Sequence, residues 1–117
     1  MTGAIAHAAG MAAEEQVEAQ YVRSGRKVAA RRWRGKAGEI DLILRDGSGL
    51  IFVEVKRAQT HSLAAERLSA RQINRIRAAA LEFVAAEPAG QDSEMRFDVA
   101  LIDGQGQIEI VENALGP

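Results

Sequence analysis

The chain has 117 residues, 47% of them apolar and 26% charged, a net charge of −1 and no cysteine. That length suits one layered core rather than two, the composition argues against coiled coil and disorder, and without thiols any metal must sit on oxygen or imidazole. No apolar run is long enough to span a bilayer, and the opening MTGAIAHAAGMAAEE lacks the basic region and firm apolar core of a signal peptide, so the expectation is a cytoplasmic protein with no membrane partner.

Residues 1–10 read as a flexible tail. From Met11 to Arg23, Ala and Glu dominate and Val17 and Tyr21 fall four apart, which predicts a helix ended by Ser24-Gly25. Lys27 to Trp33 reads as a strand, and RGKAG then breaks the pattern. Glu39 to Arg45 and Leu50 to Arg57 are strands joined by the tight turn Asp46-Gly47-Ser48-Gly49. After a polar loop, Ala58 to Ser62, one long helix is predicted to about Ala86. Its apolar face holds Leu68, Ile73, Ile76, Ala80, Phe83 and Val84, with Arg67, Arg71 and Arg75 roughly opposite. Pro88-Ala89-Gly90 stops it, and strands follow at Arg96 to Asp103 and Ile108 to Val111. This order predicts an α/β fold in a single domain, a mixed central sheet flanked by helices on both faces.

The hairpin carries the chemistry. Alternation places Glu39, Asp41 and Ile43 on one face of the first strand, and Phe52, Glu54 and Lys56 on the same face of the next. A two- or four-residue loop sets Asp41 opposite Glu54 and Glu39 opposite Lys56, with Ile40–Val55, Leu42–Val53 and Leu44–Ile51 forming a buried apolar surface behind them. Directly opposed Cβ atoms lie about 4.5 to 5.5 Å apart, so like charges there oppose pairing unless something positive arrives. Taken alone, VEVK also fits a half-exposed hairpin with an ordinary Glu39–Lys56 ion pair. Stacked acids sharing a face with Ile43 and Phe52 point instead to a face covered by something.

Charge is segregated along the chain: residues 1–22 carry −3, residues 23–77 carry +9 and residues 78–117 carry −7. Arg23, Arg26, Lys27, Arg31, Arg32, Arg34 and Lys36 form a run without an acid. Such a run repels itself without a polyanion, which suggests DNA; the plainer alternative is that the blocks intermix and cancel in the fold. Trp33 within the run would stack on a base or cap the core. Asp98 and Tyr21 read as structural, and His61 has no evident partner.

An acid on one strand followed by Glu-x-Lys on the next resembles the PD-(D/E)xK restriction-endonuclease-like nucleases. GEIDLI and FVEVK resemble most closely the YraN family, relatives of archaeal Holliday-junction resolvases. The resemblance covers most of the chain and implies a restriction-endonuclease-like fold and a Mg²⁺- or Mn²⁺-dependent DNA endonuclease, possible as a homodimer, reading branched or damaged DNA by shape. It sets Asp41, Glu54 and Lys56 at the core motif positions, Asp41, Glu54 and the Val55 carbonyl around the metal, and Glu15 beside the site. Glu39, in the Gly-Glu-Ile-Asp run, would support Lys56. Arg31, Arg32, Arg34, Lys36, Arg57, Arg71 and Arg75 would meet nucleic acid. Glu14-Glu15, Arg71 and the single Arg57 after the VEVK run depart from the family pattern without touching the core motif. A non-catalytic nucleic-acid-binding or scaffold module of the same fold is the alternative.

Overall fold

The computed structural model describes residues 3–115, with side chains from residue 12 onward. The elements are α1 (Gly3–Arg23), β1 (Lys27–Arg34), β2 (Glu39–Asp46), β3 (Gly49–Arg57), α2 (His61–Glu66), α3 (Ala70–Val84), β4 (Met95–Ile102) and β5 (Ile108–Val111). The five strands form one mixed sheet in the order β1-β2-β3-β4-β5, parallel only between β3 and β4. The α2–α3 segment supplies the crossover that a parallel pair requires. Among the described residues, no helix is long and apolar enough to cross a membrane.

Helix α1 begins at Gly3 rather than near Met11, because nothing in the Ala-rich stretch before Met11 interrupts a helix; residues 1–2 lie outside the described residues. It ends as its sequence predicts. Gly25 takes φ +97°, the Arg26 N–H donates to the Tyr21 carbonyl at 3.1 Å and the Gly25 N–H to that of Val22 at 3.0 Å. These two bonds are the paired closure of a Schellman motif.

The long helix predicted to Ala86 is two helices. Ser69 accepts from the Gln72 N–H at 3.1 Å and the Gln72 side chain reaches back to the Ser69 N–H at 3.3 Å, a capping box that starts α3 afresh. The signal, Ser-x-x-Gln, stands in the sequence, outweighed there by the apolar period running across it.

The sheet is buried on both sides. Beneath α1, Val17 and Tyr21 pack with Leu42, Leu44, Ile51, Val53, Ala100 and Ile102. On the other side, Ile76, Ala80 and Val84 of α3 cover Ile43, Phe52, Phe97 and Val99, with Phe52 and Phe97 stacked at 5.4 Å. Ile43 and Phe52 are fully buried, so the face on which they accompany the acids is covered, as their presence suggested, and α3 makes it core along most of its length. Asp41, Glu54 and Lys56 stand at the end of the hairpin away from its turn, while Arg45 and Asp46 are exposed at the turn itself. There Gly47, at φ +62°, supplies the left-handed backbone a two-residue hairpin loop requires.

Asp98, buried in β4, accepts from the Tyr21 hydroxyl at 2.7 Å, from Arg96 Nε and Nη2 at 2.9 Å each, and from the Asn113 N–H at 2.9 Å. A carboxylate with four donors is tolerated in a core. It ties α1, β4 and the segment after β5 together, the structural role its sequence context suggested.

Candidate functional site

The β2–β3 ladder follows the expected register from Asp46–Gly49 to Leu42–Val53, then stops. The continuation to Asp41–Glu54, Ile40–Val55 and Glu39–Lys56 does not form as a ladder. Ile40 lies with Ile43 in the α3-side core while Leu42 lies on the α1 side, so alternation breaks at Asp41. On β1, Arg32 sits between the pairs Arg31–Leu42 and Trp33–Ile40 and takes φ +47°. Both strands are thus irregular at the same point.

Asp41 uses the gap. Its Oδ2 accepts the Val55 N–H at 2.8 Å, standing in for the missing strand partner. Within a strand, the N–H and C=O of one residue point to the same side. The Val55 carbonyl is therefore turned toward the same opening.

Glu54, half-buried, sits close enough to Asp41 for the two carboxyls to act on each other. Burial foremost, and then the Asp41 charge, push the Glu54 carboxyl from 4.5 up to about 7, while Lys56 opposes the rise. Lys56 Nζ is 3.4 Å from Glu54 Oε1, and both side chains are only 15% exposed. Turned over, the Gln72 amide gives up its bond from the Ser69 N–H, and its oxygen then accepts from Lys56 Nζ at 3.2 Å while its nitrogen donates to the Arg67 carbonyl at 2.8 Å. Gln72 was not among the sequence candidates. Only the capping-box spacing could have placed it at the start of a helix facing Lys56.

Two cavities meet at Asp41. One, of about 210 Å³ on the α3 side, is lined by Gly38, Glu39, Asp41, Glu54, Gln72, Arg75 and Ile76. The other, of about 580 Å³ on the α1 side, has Glu14, Glu15, Glu18, Arg31, Arg32 and Val55 in its lining along with Asp41. Glu15 therefore shares a cavity with Asp41 but lies across the sheet from Glu54 and Lys56. Among the described residues, no three Asp, Glu, His or Cys side chains converge closely enough to hold a metal together. A cation here would rest on two carboxylates, a main-chain carbonyl and water, a donor set that suits Mg²⁺.

Glu39 pairs with Arg34 at 3.2 Å rather than with Lys56, because the splayed strand carries it toward β1. The basic run is largely matched by acids: Arg31 with Glu18 at 2.6 Å, Arg32 with Glu14 at 3.1 Å and Arg26 with Asp46 at 3.1 Å. Packing α1 on the sheet brings the acidic first block against the basic second one. Among the described residues, no acid pairs with Lys36, Arg57, Arg71 or Arg75. Arg75 lines the smaller cavity. Trp33 meets Phe83 edge-on at 5.4 Å, capping the core. His61 is held by the Gln107 carbonyl at 2.9 Å and lies 3.2 Å from Glu109.

The profile of the Uncharacterised protein family UPF0102 matches residues 13–102. The chain belongs to the UPF0102 family. This is the YraN family to which GEIDLI and FVEVK pointed. A UPF0102 protein of Cereibacter sphaeroides is 60% identical over 97% of this chain and 97% of its own length. One of Ruegeria pomeroyi is 57% identical over 94% and 89% of the two chains, and one of Dinoroseobacter shibae is 45% identical over 95% and 83%. The UPF0102 match takes in Glu15, Asp41, Glu54, Lys56, Gln72 and Arg75 and ends with β4.

Proposed function

We propose that this UPF0102 protein is a metal-dependent DNA endonuclease of restriction-endonuclease-like fold, with Asp41, Glu54 and the Val55 carbonyl holding Mg²⁺ or Mn²⁺. The observation that carries this reading is the half-buried Asp41–Glu54 carboxylate pair beside Lys56. Burial and the Asp41 charge raise the proton affinity of the Glu54 carboxyl, which marks a site in need of positive charge, and one ammonium answers only part of it. When bound, the metal would polarise phosphoryl oxygens and make water more acidic.

The rest falls to the chain's own residues. Lys56, steadied between Glu54 and Gln72, offsets negative charge and orients a water. Arg75, at the rim, suits a phosphate oxygen. Among the cations without acid partners, Arg75 lines the α3-side opening and Arg71 stands one turn before it on α3, which favours approach of the phosphate backbone from that side. Arg31, Arg32 and Arg34 would first have to leave their glutamates. Backbone contacts carry no sequence information, so shape, as in branched or damaged DNA, is the feature read.

The position of Glu15 across the sheet favours a second reading, a nucleic-acid-binding or scaffold module of the same fold without hydrolysis. Branched, flap, single-stranded and duplex DNA incubated with Mg²⁺ or Mn²⁺ separates the two. The nuclease reading expects cleavage that Asp41→Asn and Lys56→Ala abolish while binding persists. Salt-sensitive binding without cleavage under any condition supports the module.

A further inference from the structure

The opening at Asp41 exists because β2 enters the sheet away from β3, and α3 grips the chain just before that entry. Glu82 Oε2 accepts the Lys36 N–H at 2.7 Å and Oε1 accepts the Ala37 N–H at 2.7 Å. The Gly35 N–H donates to the Gly38 carbonyl at 2.9 Å, closing the β1–β2 turn beneath the carboxylate. A Cβ on Gly35 would stand 2.3 Å from Glu82 Oε2 and 2.8 Å from the Trp33 ring, so glycine is what lets Glu82 approach. Seven residues earlier, about two turns away on the same side of α3, Arg75 packs beside Gly38. Phe83, next to Glu82, meets Trp33 at the end of β1.

The geometry assigns Glu82 the role of a positioning residue for the carboxylate site: by gripping residues 36 and 37 it holds the start of β2 off the β3 ladder and so keeps Asp41 seated on the Val55 N–H. The link is short. Three residues lie between Ala37 and Asp41, and the Ile40 side chain among them is anchored in the α3-side core. Without the grip, the start of β2 is no longer fixed in place, and Asp41 would lose its seat on the Val55 N–H. Glu82 touches neither Asp41 nor Glu54 by any hydrogen bond among the described residues, so it acts through the backbone alone.

This inference rests on Asp41 serving the site proposed above, and its test separates the two. Wild type, Glu82→Gln, Gly35→Ala and their combination are compared for Mn²⁺ affinity and for hydrogen exchange at the Val55 amide. Gln offers one acceptor where two N–H groups need one each, and Ala at position 35 displaces the carboxylate from the other side. Each single variant is expected to weaken Mn²⁺ binding about tenfold, as losing a supporting contact does in metal sites, and to speed Val55 exchange. The combination should add little. Glu87→Gln is the control: Glu87 holds Arg45, at the opposite end of β2, at 2.6 Å. It should lower the melting temperature while leaving Mn²⁺ affinity and Val55 exchange unchanged. Wild-type values in Glu82→Gln, or equal shifts in Glu87→Gln, would overturn the assignment. If wild type binds no Mn²⁺, the metal reading fails, and Val55 exchange alone still decides the role of Glu82.

Discussion

Asp41 and Val55 are joined by a side chain to main chain bond of 2.8 Å at the point where their strands cease to pair. A carboxylate thus occupies the position of a strand and keeps its second oxygen for other work. The proposed chemistry depends on that substitution.

Glu54 should make the metal-free protein less stable as pH rises. The folded carboxyl keeps its proton up to about pH 7, whereas an unfolded one releases it near 4.5. Between those values the folded state binds more protons, so stability falls with increasing pH and levels off above 7. The span corresponds to on the order of 3 kcal/mol. Urea unfolding at pH 5 and pH 8 should show this loss in wild type and little of it in Glu54→Gln.

Manganese should reverse the trend. Metal and proton compete for the same carboxyls, so affinity rises from about pH 5.5 to pH 8 as Glu54 loses its proton. Calorimetric titration at the two pH values checks this, and a flat profile would place the ion elsewhere.

The Tyr21–Asp98 bond should be worth more than a surface contact. Tyr21→Phe removes one donor from a buried carboxylate that retains Arg96 and the Asn113 N–H, for an expected loss of about 1.5 to 3 kcal/mol. Asp98→Ala leaves Arg96 and the Tyr21 hydroxyl without their acceptor and should cost more, roughly 3 to 5 kcal/mol. Denaturant unfolding of both variants tests the order, and Mn²⁺ affinity should stay at its wild-type value in Tyr21→Phe.

DNA affinity should distinguish the two sets of arginines. Replacing Arg71 and Arg75 together with Ala is expected to make the dependence of log K on log salt shallower by about 1.8 for duplex DNA, the slope of two phosphate contacts. The Arg31 and Arg32 pair, already matched with Glu18 and Glu14, should change it little. Equal effects would mean that the phosphate backbone runs over both faces.

Local and periodic features were legible in the residues themselves. The two-residue turn at Gly47-Ser48 sets the hairpin register, and every pair from Asp46–Gly49 to Leu42–Val53 follows it. The close of α1 at Gly25 and the apolar stripe of α3 follow from backbone freedom and helical period in the same way. The acid and Glu-x-Lys spacing singled out Asp41, Glu54 and Lys56, and the structure brings those three together.

Only tertiary packing decided the rest. Nothing in the alternation of β2 says that it breaks at Asp41, because the break arises from Ile40 seating in the α3-side core and from Glu82, remote in sequence, gripping the preceding loop. Nor does the order of residues say that Glu15 falls across the sheet from Glu54, or that an acidic helix folds against a basic strand and neutralises much of it. Periodicity reports which way a side chain points along its own element. Which groups then meet depends on how elements far apart in sequence bury their apolar faces against one another.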